Sequence, residues 1–322
     1  MINAAIIGLG RWGRSLIEAA GTGRIRITRA VETDLARARD FCAQHRLDLT
    51  DDFEAVLADD AIKAVLLATP HSLHLPQVIA AARAGKQVFC EKPLALRRDD
   101  AQAMFATCRK ANVLLAVGHN RRFWPSMAAL RAIVASGELG ELLHVEGHNS
   151  NENSEKIMEG WRLSPEESPG GGLTGAGMHV LEGFVSMLGP VSRVYGRLSS
   201  HEAGPPPRDC AMLAIDFASG VTGTLATVRA TPFFWRVHVF GTAGSAEVLD
   251  DSTMVMRRSG RPPETIRYTA IDTLAAELDA FADAIEGTRP FPVPEHEVLA
   301  TLAAFEAALR SMQSGQPADC HG

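Results

Sequence analysis

The sequence INAAIIGLGRWG, residues 2–13, combines a strand, a glycine-rich turn and the start of a helix. Its apolar residues lead directly into Gly8, Gly10 and Gly13, which have the spacing G-x-G-x-x-G. In this motif the first glycine permits a tight turn, the second lets the backbone approach a pyrophosphate, and the third lets the helix pack on the strand. The free N–H groups at the start of the helix then favour an anion. The motif therefore predicts a dinucleotide site.

An acidic residue ends the next predicted strand. Glu32 lies 22 residues after Gly10, at the distance where a carboxylate accepts hydrogen bonds from the adenosine ribose hydroxyls. A carboxylate there also repels a 2′-phosphate, so the sequence favours NAD over NADP, while the nearby Arg37 keeps NADP open as the alternative. A glycine-rich turn without a ligand is the other interpretation of the motif, and Glu32 weakens it.

The pattern of the chain changes near Asn120. Before it, short apolar runs alternate with amphipathic helical stretches, which is typical of a parallel sheet with helices on both faces. After it, strands follow one another across short turns, as in an antiparallel sheet. We predict an α/β Rossmann-type domain over residues 1–120 and an α+β domain with a mostly antiparallel open sheet over residues 121–315. Residues 316–322 are predicted to form a flexible tail.

The same patterns predict individual elements. The predicted helices cover residues 15–20, 34–45, 75–84, 99–111, 125–136, 176–188, 274–287 and 295–314. The predicted strands cover residues 4–10, 26–32, 63–69, 87–92, 113–120, 142–151, 192–198, 210–217, 221–230, 235–241, 245–250 and 253–259. A long polar loop is predicted over residues 151–172.

Composition narrows the class of protein. Of 322 residues, 46% are hydrophobic and 22% are charged, which is typical of a globular protein, and the length suits two domains. A formal charge of -6 argues against a general binder of nucleic acid or of membrane surfaces. The first residues lack the features of a secretory signal, and no apolar run reaches the ~18 residues of a membrane span. The 5 cysteines have no short repeated spacing, which excludes a zinc ribbon and favours reduced thiols in a cytoplasmic protein.

Three further segments carry a family resemblance. They read TPHSLH at residues 69–74, AGKQVFCEKP at residues 84–93, and GHNRRF at residues 118–123. In this order after the glycine motif, they resemble the glucose–fructose oxidoreductase/inositol dehydrogenase (Gfo/Idh/MocA) family over the whole chain. The resemblance implies an oxidoreductase that binds a nicotinamide dinucleotide.

The resemblance assigns a role to Lys92. It matches the lysine of the family's E-K-P motif, which lies near the nicotinamide and the substrate hydroxyl. A lysine in a partly desolvated cleft has a lowered pKa and can stabilise a developing alkoxide. The family typically aims this lysine through a cis bond to the following proline, here Pro93.

The resemblance assigns a second role to His179. The segment GGGLTGAGMH, residues 170–179, resembles the family's G-G-G…D-x-G-x-H, which makes His179 the base that removes the substrate hydroxyl proton. Imidazole titrates near the working pH, which suits this task. Gly175 stands where the family has an aspartate that helps to position the substrate, so the usual polyol mechanism and the identity of the substrate stay open. Glu182 is interpreted as a residue of the helix face rather than as a replacement.

The remaining candidate residues follow from position in these motifs. The predicted cofactor contacts are Gly8, Gly10, Arg11, Trp12, Gly13, Glu32, Thr69, Pro70, His71, His74, Glu91, Lys92 and Arg122. The predicted substrate contacts are Lys92, Arg122, Trp161, Arg162 and His179. No metal site is predicted, because no carboxylate or cysteine completes a ligand set with His144 and His148.

These observations define the function that we expect. The enzyme transfers a hydride between a sugar, polyol or related cyclic alcohol and NAD, with His179 as base and Lys92 polarising the reacting oxygen. Two alternatives use the same fold: a non-catalytic NAD-binding regulator, and an NAD-dependent glycosidase in which hydride transfer is transient. The resemblance further implies a homodimer or homotetramer formed through the open face of the second sheet.

Overall fold

The computed structural model describes residues 1–21, 23–150, 160–200, 209–229 and 231–320. The described helices are α1 Arg11–Ala20, α2 Leu35–His45, α3 Phe53–Leu57, α4 His71–Arg83, α5 Arg98–Ala111, α6 Pro125–Ser136, α7 Met178–Leu188, α8 Thr273–Glu286 and α9 Glu295–Ser314. The described strands are β1 Ile2–Ile7, β2 Ile25–Val31, β3 Asp48–Thr50, β4 Ala64–Leu67, β5 Gln87–Glu91, β6 Leu115–Gly118, β7 Leu142–Ser150, β8 Val191–Ser200, β9 Asp209–Phe217, β10 Thr222–Val228, β11 Phe234–Gly241, β12 Gly244–Val248, β13 Thr253–Arg258, β14 Glu264–Arg267 and β15 Ala318–Asp319.

The chain divides into two compact units. The first contains Met1–Asn120 and Asp272–Glu295, and the second contains Arg121–Ile271 and His296–Gly322. The first segment of the first unit ends at Asn120. The return of Asp272–Glu295 to the first unit differs from the continuous second domain of residues 121–315 that the sequence indicates.

The contacts of helix α8 explain why this segment belongs to the first unit. On it, the ring of Phe281 lies 5.7 Å from that of Phe89 on β5, in an edge-to-face contact, and Phe281 is fully buried. On its polar side, Asp283 pairs with Arg24, which precedes β2, with N and O atoms 2.8 Å apart. A helical pattern shows only that one face is apolar and does not identify the sheet that covers it.

The first unit is built on a parallel sheet with the order β3-β2-β1-β4-β5-β6. β1 lies between β2 and β4 and pairs parallel with both. The residues of β4 are all fully buried, and strands that are buried on both faces are continuously apolar. The strand order reverses at β1 and β4, and ligands of such sheets bind outside the carboxyl ends of the strands at this point. The predicted Rossmann-type sheet is confirmed.

The second unit is built on a sheet with the order β14-β13-β12-β11-β7-β10-β9-β8-β15. Its pairs are antiparallel except for β7 and β10, which run parallel. The predicted mostly antiparallel sheet is therefore confirmed. Helix α7 covers one face and needs close approach, because a Cβ on Gly147 of β7 would lie 2.3 Å from Cγ1 of Val180.

Several segments differ from the sequence prediction, which contains no element over β3, α3 or β14. The helix expected from residue 176 is preceded by a π-helix, Leu173–Gly177, and continues as α7. In the predicted flexible tail, β15 pairs with β8, and the N–H of Cys320 donates to the carbonyl of Ser192 over 2.9 Å. Two residues of edge pairing are too short to give a periodic sequence signal, which is why the sequence predicts a tail there. None of the described helices is long and apolar enough to cross a membrane.

Candidate active site

The glycine turn after β1 has the geometry that its three glycines predict. Gly8 has a φ of 93°, and a Cβ on it would lie 2.8 Å from the carbonyl oxygen of Ala68. A Cβ on Gly13 would lie 1.9 Å from the carbonyl oxygen of Gly8, so helix and turn could not pack with any larger residue. A Cβ on Gly10 would meet no described atom within 4 Å. Open space beside this backbone, at the start of α1, is the arrangement that lets N–H groups face a pyrophosphate.

The carboxylate of Glu32 lies against this turn. Its Oε2 accepts a hydrogen bond from the N–H of Leu9 over 2.8 Å, and its Oε1 accepts one from the N–H of Thr33 over 2.8 Å. The end of β2 is thereby joined to the glycine turn. The side chain of Arg14 adds contacts that the sequence did not reveal: its Nε donates to the carbonyl of Leu9 over 3.1 Å, and its Nη2 donates to that of Arg37 on α2 over 3.3 Å. These residues fit the adenosine end of a dinucleotide.

The Thr69–Pro70 segment joins β4 to α4. The hydroxyl of Thr69 donates over 2.6 Å to Oε1 of Gln77, which lies in the second turn of the helix. His71 begins α4, and its ring centroid lies 5.8 Å from that of His74. His74 is fully buried. Cofactor contacts of Thr69, Pro70, His71 and His74 stay predictions.

The ring nitrogens of His74 meet backbone carbonyls on two sides. Nδ1 lies 3.0 Å from the oxygen of Pro93 and 3.1 Å from that of Leu94, and Nε2 lies 3.1 Å from the oxygen of Thr69. His74 therefore joins the segment after β4 to the segment after β5. Nothing in the spacing of TPHSLH predicts this link.

Lys92 follows β5 directly. The strand is buried from Val88 to Glu91, Lys92 is half-buried, and the Lys92–Pro93 bond is cis, which confirms the expectation from the E-K-P motif. A Cβ on Gly118, at the end of the neighbouring β6, would lie 3.0 Å from Oε1 of Glu91. Complete burial raises the pKa of the Cys90 thiol well above its usual value, so this thiol stays protonated and is no nucleophile.

Arg122 forms ion pairs with two carboxylates of the second unit. Its Nε donates to Oε1 of Glu182 on α7 over 2.8 Å, and its Nη2 pairs with both Glu182 and Glu297 on α9. Burial alone would lower the pKa of Arg122, but the two carboxylates outweigh this effect and the pKa lies above its usual value. The ion pair anchors the helix that carries His179. Contact of Arg122 with cofactor or substrate stays a prediction.

The glycine run before α7 is held by a buried ion pair that sequence analysis missed. Oδ1 of Asp209 accepts a hydrogen bond from the N–H of Gly172 over 3.0 Å, and Oδ2 accepts one from Nε of Arg229 over 2.8 Å. Gly171 has a φ of 56°, and a Cβ on it would lie 2.5 Å from Oδ2 of Asp209. The carboxylate thus occupies the space that side chains at this turn would need.

The π-helix that follows leads to His179. Nδ2 of Asn149 on β7 donates to the carbonyl of Ala176 over 2.8 Å and fixes the turn to the sheet. His179 is the second residue of α7 and is 6% exposed. Gly175 is exposed, and a Cβ on it would meet no described atom within 4 Å. Packing therefore does not exclude the aspartate that the family has at this position. π-helical turns often occur at functional sites.

The remaining candidates are placed as follows. Trp161 and Arg162 lie in a 3₁₀-helix, Gly160–Leu163, where the guanidinium carbon of Arg162 lies 4.2 Å from the centre of the Trp161 ring. Their substrate contacts stay predictions. Nδ1 of His144 lies 2.8 Å from the hydroxyl oxygen of Thr222. The described residues contain no cluster of three or more side chains able to hold a metal ion.

Comparison with known proteins identifies the class of this site. Residues 2–119 match the model of the Gfo/Idh/MocA oxidoreductase family, NAD-binding Rossmann fold, and residues 127–247 match that of the GFO/IDH/MocA C-terminal domain. The chain belongs to this family. The matching model describes an oxidoreductase family with an NAD-binding Rossmann fold.

Individual relatives match most or all of the chain. D-xylose 1-dehydrogenase (NADP(+)) of Haloarcula marismortui is 27% identical over 92% of this chain and 87% of its own length. The scyllo-inositol 2-dehydrogenase (NAD(+)) of Bacillus subtilis is 25% identical over 83% of this chain and 80% of its own length. The structure of a levoglucosan dehydrogenase, in complex with NADH and levoglucosan, superimposes with a TM-score of 0.89 at 21% identity and covers 100% of both chains.

Proposed function

We propose that this protein catalyses reversible hydride transfer between NAD and the carbinol carbon of a sugar, polyol or related cyclic alcohol. The observation that carries the proposal is the position of Lys92, which follows a buried central strand at the carboxyl edge of the sheet. Ligands of parallel α/β sheets bind at this edge. The names of the xylose and scyllo-inositol dehydrogenases support a substrate with several hydroxyl groups.

Each proposed group has one task in the oxidation of the alcohol. The dinucleotide, held by the glycine turn and Glu32, supplies the acceptor for the hydride. His179 takes the proton of the substrate hydroxyl, while the Lys92 ammonium stabilises the negative charge that develops on that oxygen. The carbinol carbon loses two electrons with its hydride and becomes a carbonyl. In the reverse direction His179 returns the proton.

We propose NAD as the preferred dinucleotide. The Glu32 carboxylate lies at the glycine turn, with one oxygen 2.8 Å from the N–H of Leu9. A 2′-phosphate at this end of the site would be repelled by the Glu32 carboxylate. It could not displace this carboxylate, because two backbone N–H groups hold it. Arg37 is the nearby residue that keeps NADP open as the alternative. Since the named relatives include an NADP and an NAD enzyme, the choice depends on this chain's own residues.

Gly175 is the residue that favours the alternative of a non-catalytic NAD-binding regulator. Without the family's aspartate, substrate positioning depends on the remaining residues of the site, and a protein that binds NAD without turnover would tolerate the loss. We favour the enzyme because Lys92 and His179 are both retained. A panel of sugars and polyols, incubated with NAD or NADP while the absorbance of the reduced nicotinamide is followed, separates the possibilities. Reduced dinucleotide with at least one alcohol supports the proposal.

Two other outcomes of the panel would overturn it. Tight NADH binding without turnover of any alcohol would indicate a regulator. Release of a chromogenic leaving group from a glycoside, without net reduced dinucleotide, would indicate the glycosidase alternative. A preference for NADP of tenfold or more in kcat/KM would contradict only the role of Glu32.

We further propose a cytoplasmic homodimer or homotetramer that associates through the open face of the second sheet. On this face, Tyr195, Met212 and Phe234 are 37%, 47% and 49% exposed. Met212 lies between Arg197 and Ala226 in the sheet register, so a charge there would lie within the patch. Met212→Glu is expected to lower the mass measured by light scattering to that of a monomer. The matched control Ile271→Glu, also at an exposed residue, should leave the mass unchanged, and an unchanged mass in both variants would contradict the proposal.

A further inference from the structure

His74 stands out among the buried ionisable groups of the first unit. Its ring is completely buried, and both of its nitrogens lie at hydrogen-bonding distance from backbone carbonyl oxygens. We propose that His74 is held as an imidazolium cation and acts as a positioning residue for the turn that carries Lys92. The inference rests on the proposed role of Lys92 and goes beyond the direct cofactor contact that the sequence predicts for His74.

The carbonyl contacts determine which ring nitrogens of His74 carry a hydrogen. A backbone carbonyl oxygen can only accept a hydrogen bond, so each nitrogen that contacts one must carry a hydrogen. Nδ1 lies 3.0 Å from the oxygen of Pro93 and 3.1 Å from that of Leu94, while Nε2 lies 3.1 Å from the oxygen of Thr69. A neutral imidazole has one N–H and would turn its other nitrogen's lone pair toward a carbonyl lone pair. The doubly protonated ring satisfies both sides.

Burial opposes this charge and the carbonyls support it. Desolvation favours the neutral form of a histidine, whereas hydrogen bonds that only the charged form can make favour the cation. Here three carbonyl dipoles point at one ring, and charge-assisted hydrogen bonds are stronger than neutral ones. The ionisable side chains on the adjoining segments are Glu91 and Lys92 at the end of β5 and His71 on α4, whose ring centroid is 5.8 Å away.

The two ring nitrogens contact carbonyls that follow two neighbouring strands. β4 and β5 pair parallel, with Leu67 opposite Cys90. Thr69 lies two residues beyond β4, and Pro93 lies two residues beyond β5. His74 therefore connects the two segments where they leave the sheet, and it holds the residue next to Lys92. Loss of one N–H would release one of the two segments and with it the fixed direction of the lysine.

Nitrogen NMR on the wild-type protein tests the protonation state directly. Protein labelled with ¹⁵N-histidine is studied by long-range ¹H–¹⁵N correlation at about pH 8, well above the usual histidine pKa of ~6.5. The His74 signal is assigned by its absence in His74→Gln, or through its coupling to the backbone if that variant does not fold. We expect both nitrogens of His74 to be protonated. One unprotonated nitrogen, as in a reference spectrum of free histidine, would overturn the proposal.

Kinetics test the positioning role. In His74→Gln the amide can donate on one side only, so we expect kcat to fall by roughly tenfold to a hundredfold, the range that a ~1 Å misplacement of a catalytic group produces. The dissociation constant of NADH, measured by fluorescence, should change by less than about twofold, because the glycine turn is untouched. His45→Gln on α2 is the matched control and should leave both quantities unchanged. An unchanged kcat in His74→Gln would contradict the role.

The two hypotheses fail in different ways. If the alcohol panel gives no turnover, the proposed function is wrong, and the NMR experiment still decides the charge of His74. If one nitrogen of His74 is unprotonated while Lys92→Ala abolishes turnover, only the imidazolium is wrong.

Discussion

The buried pair of Asp209 and Arg229 gives the most quantitative prediction. Their side chains are 4% and 9% exposed, and the same carboxylate accepts the N–H of Gly172. The pair therefore anchors the glycine run that leads into the π-helix and His179. We predict that Asp209→Ala destabilises the second unit strongly.

The magnitude follows from what the substitution leaves behind. Removing one partner of a buried ion pair costs about 3–5 kcal/mol, because the remaining guanidinium loses the carboxylate that offsets its desolvation. The N–H of Gly172 also loses its acceptor, and a buried unsatisfied donor costs about 1–3 kcal/mol. These contributions overlap in one site, so we expect about 3–5 kcal/mol in total. Asp209→Asn keeps an oxygen for Gly172 and should cost less than Asp209→Ala.

Urea denaturation followed by tryptophan fluorescence and circular dichroism measures the effect. The matched control is Asp319→Ala, which removes the exposed partner of Arg193. Exposed ion pairs contribute little, so its denaturation midpoint should equal that of the wild type within error. The reasoning would be refuted if Asp209→Ala unfolded at the same urea concentration as Asp319→Ala.

Three further predictions concern single residues. Lys92→Ala should lower kcat by about 10²–10³-fold, the usual effect of removing one group that stabilises a developing oxyanion, while the dissociation constant of NADH stays within about twofold. Gly175→Asp should fold, because its Cβ has open space, and should raise kcat/KM for polyols by roughly 10- to 100-fold, since a hydrogen bond from a substrate hydroxyl to a carboxylate contributes about 1.5–3 kcal/mol. Burial lowers the pKa of His238 to about 4, so the unfolded chain binds a proton that the folded chain does not as the pH falls from ~6.5 to about 4. The stability that the neutral His238 imidazole provides above this pH window is lost as the pH falls through it. Over the same window, the urea midpoint of His238→Gln should therefore fall less than that of the wild type.

Each of these variants has a control. Lys110→Ala, at an exposed lysine of α5, should turn over normally, and equal losses in both lysine variants would contradict the role of Lys92. Gly175→Asn has the shape of aspartate without its charge, so an equal gain in both variants would show that charge is irrelevant. For His238, a midpoint difference between variant and wild type that does not change with pH would contradict the lowered pKa.

Local sequence patterns predicted the parts of the site that lie within one strand–turn–helix unit. The glycine turn is of this kind, because steric demands at a tight turn act over neighbouring atoms only. The contact of Glu32 with Leu9 joins residues 23 apart, and the cis bond after Lys92 was implied by the family resemblance. The alternation of strands and helices predicted the parallel sheet, because a strand–helix–strand unit places its two strands parallel in one sheet.

Contacts between distant segments could not be predicted in this way. Gly172 and Asp209 are 37 residues apart, and Arg122 and Glu182 are 60 residues apart. Hydrophobic periodicity shows which face of an element is covered but not which side chain meets it. For the same reason the sequence missed the return of α8 to the first sheet, and local composition did not distinguish the π-helix at Leu173–Gly177 from ordinary α-helix.

Transfer of an isotopic label tests the central claim most directly. A polyol deuterated at its carbinol carbons is incubated with the enzyme and NAD, and the reduced dinucleotide is isolated for mass spectrometry. Direct hydride transfer predicts that each molecule of NADH formed carries one deuterium and that the polyol becomes the corresponding carbonyl compound. Carbonyl product formed together with NADH that contains no deuterium, or consumption of the polyol without any NADH, would contradict the account.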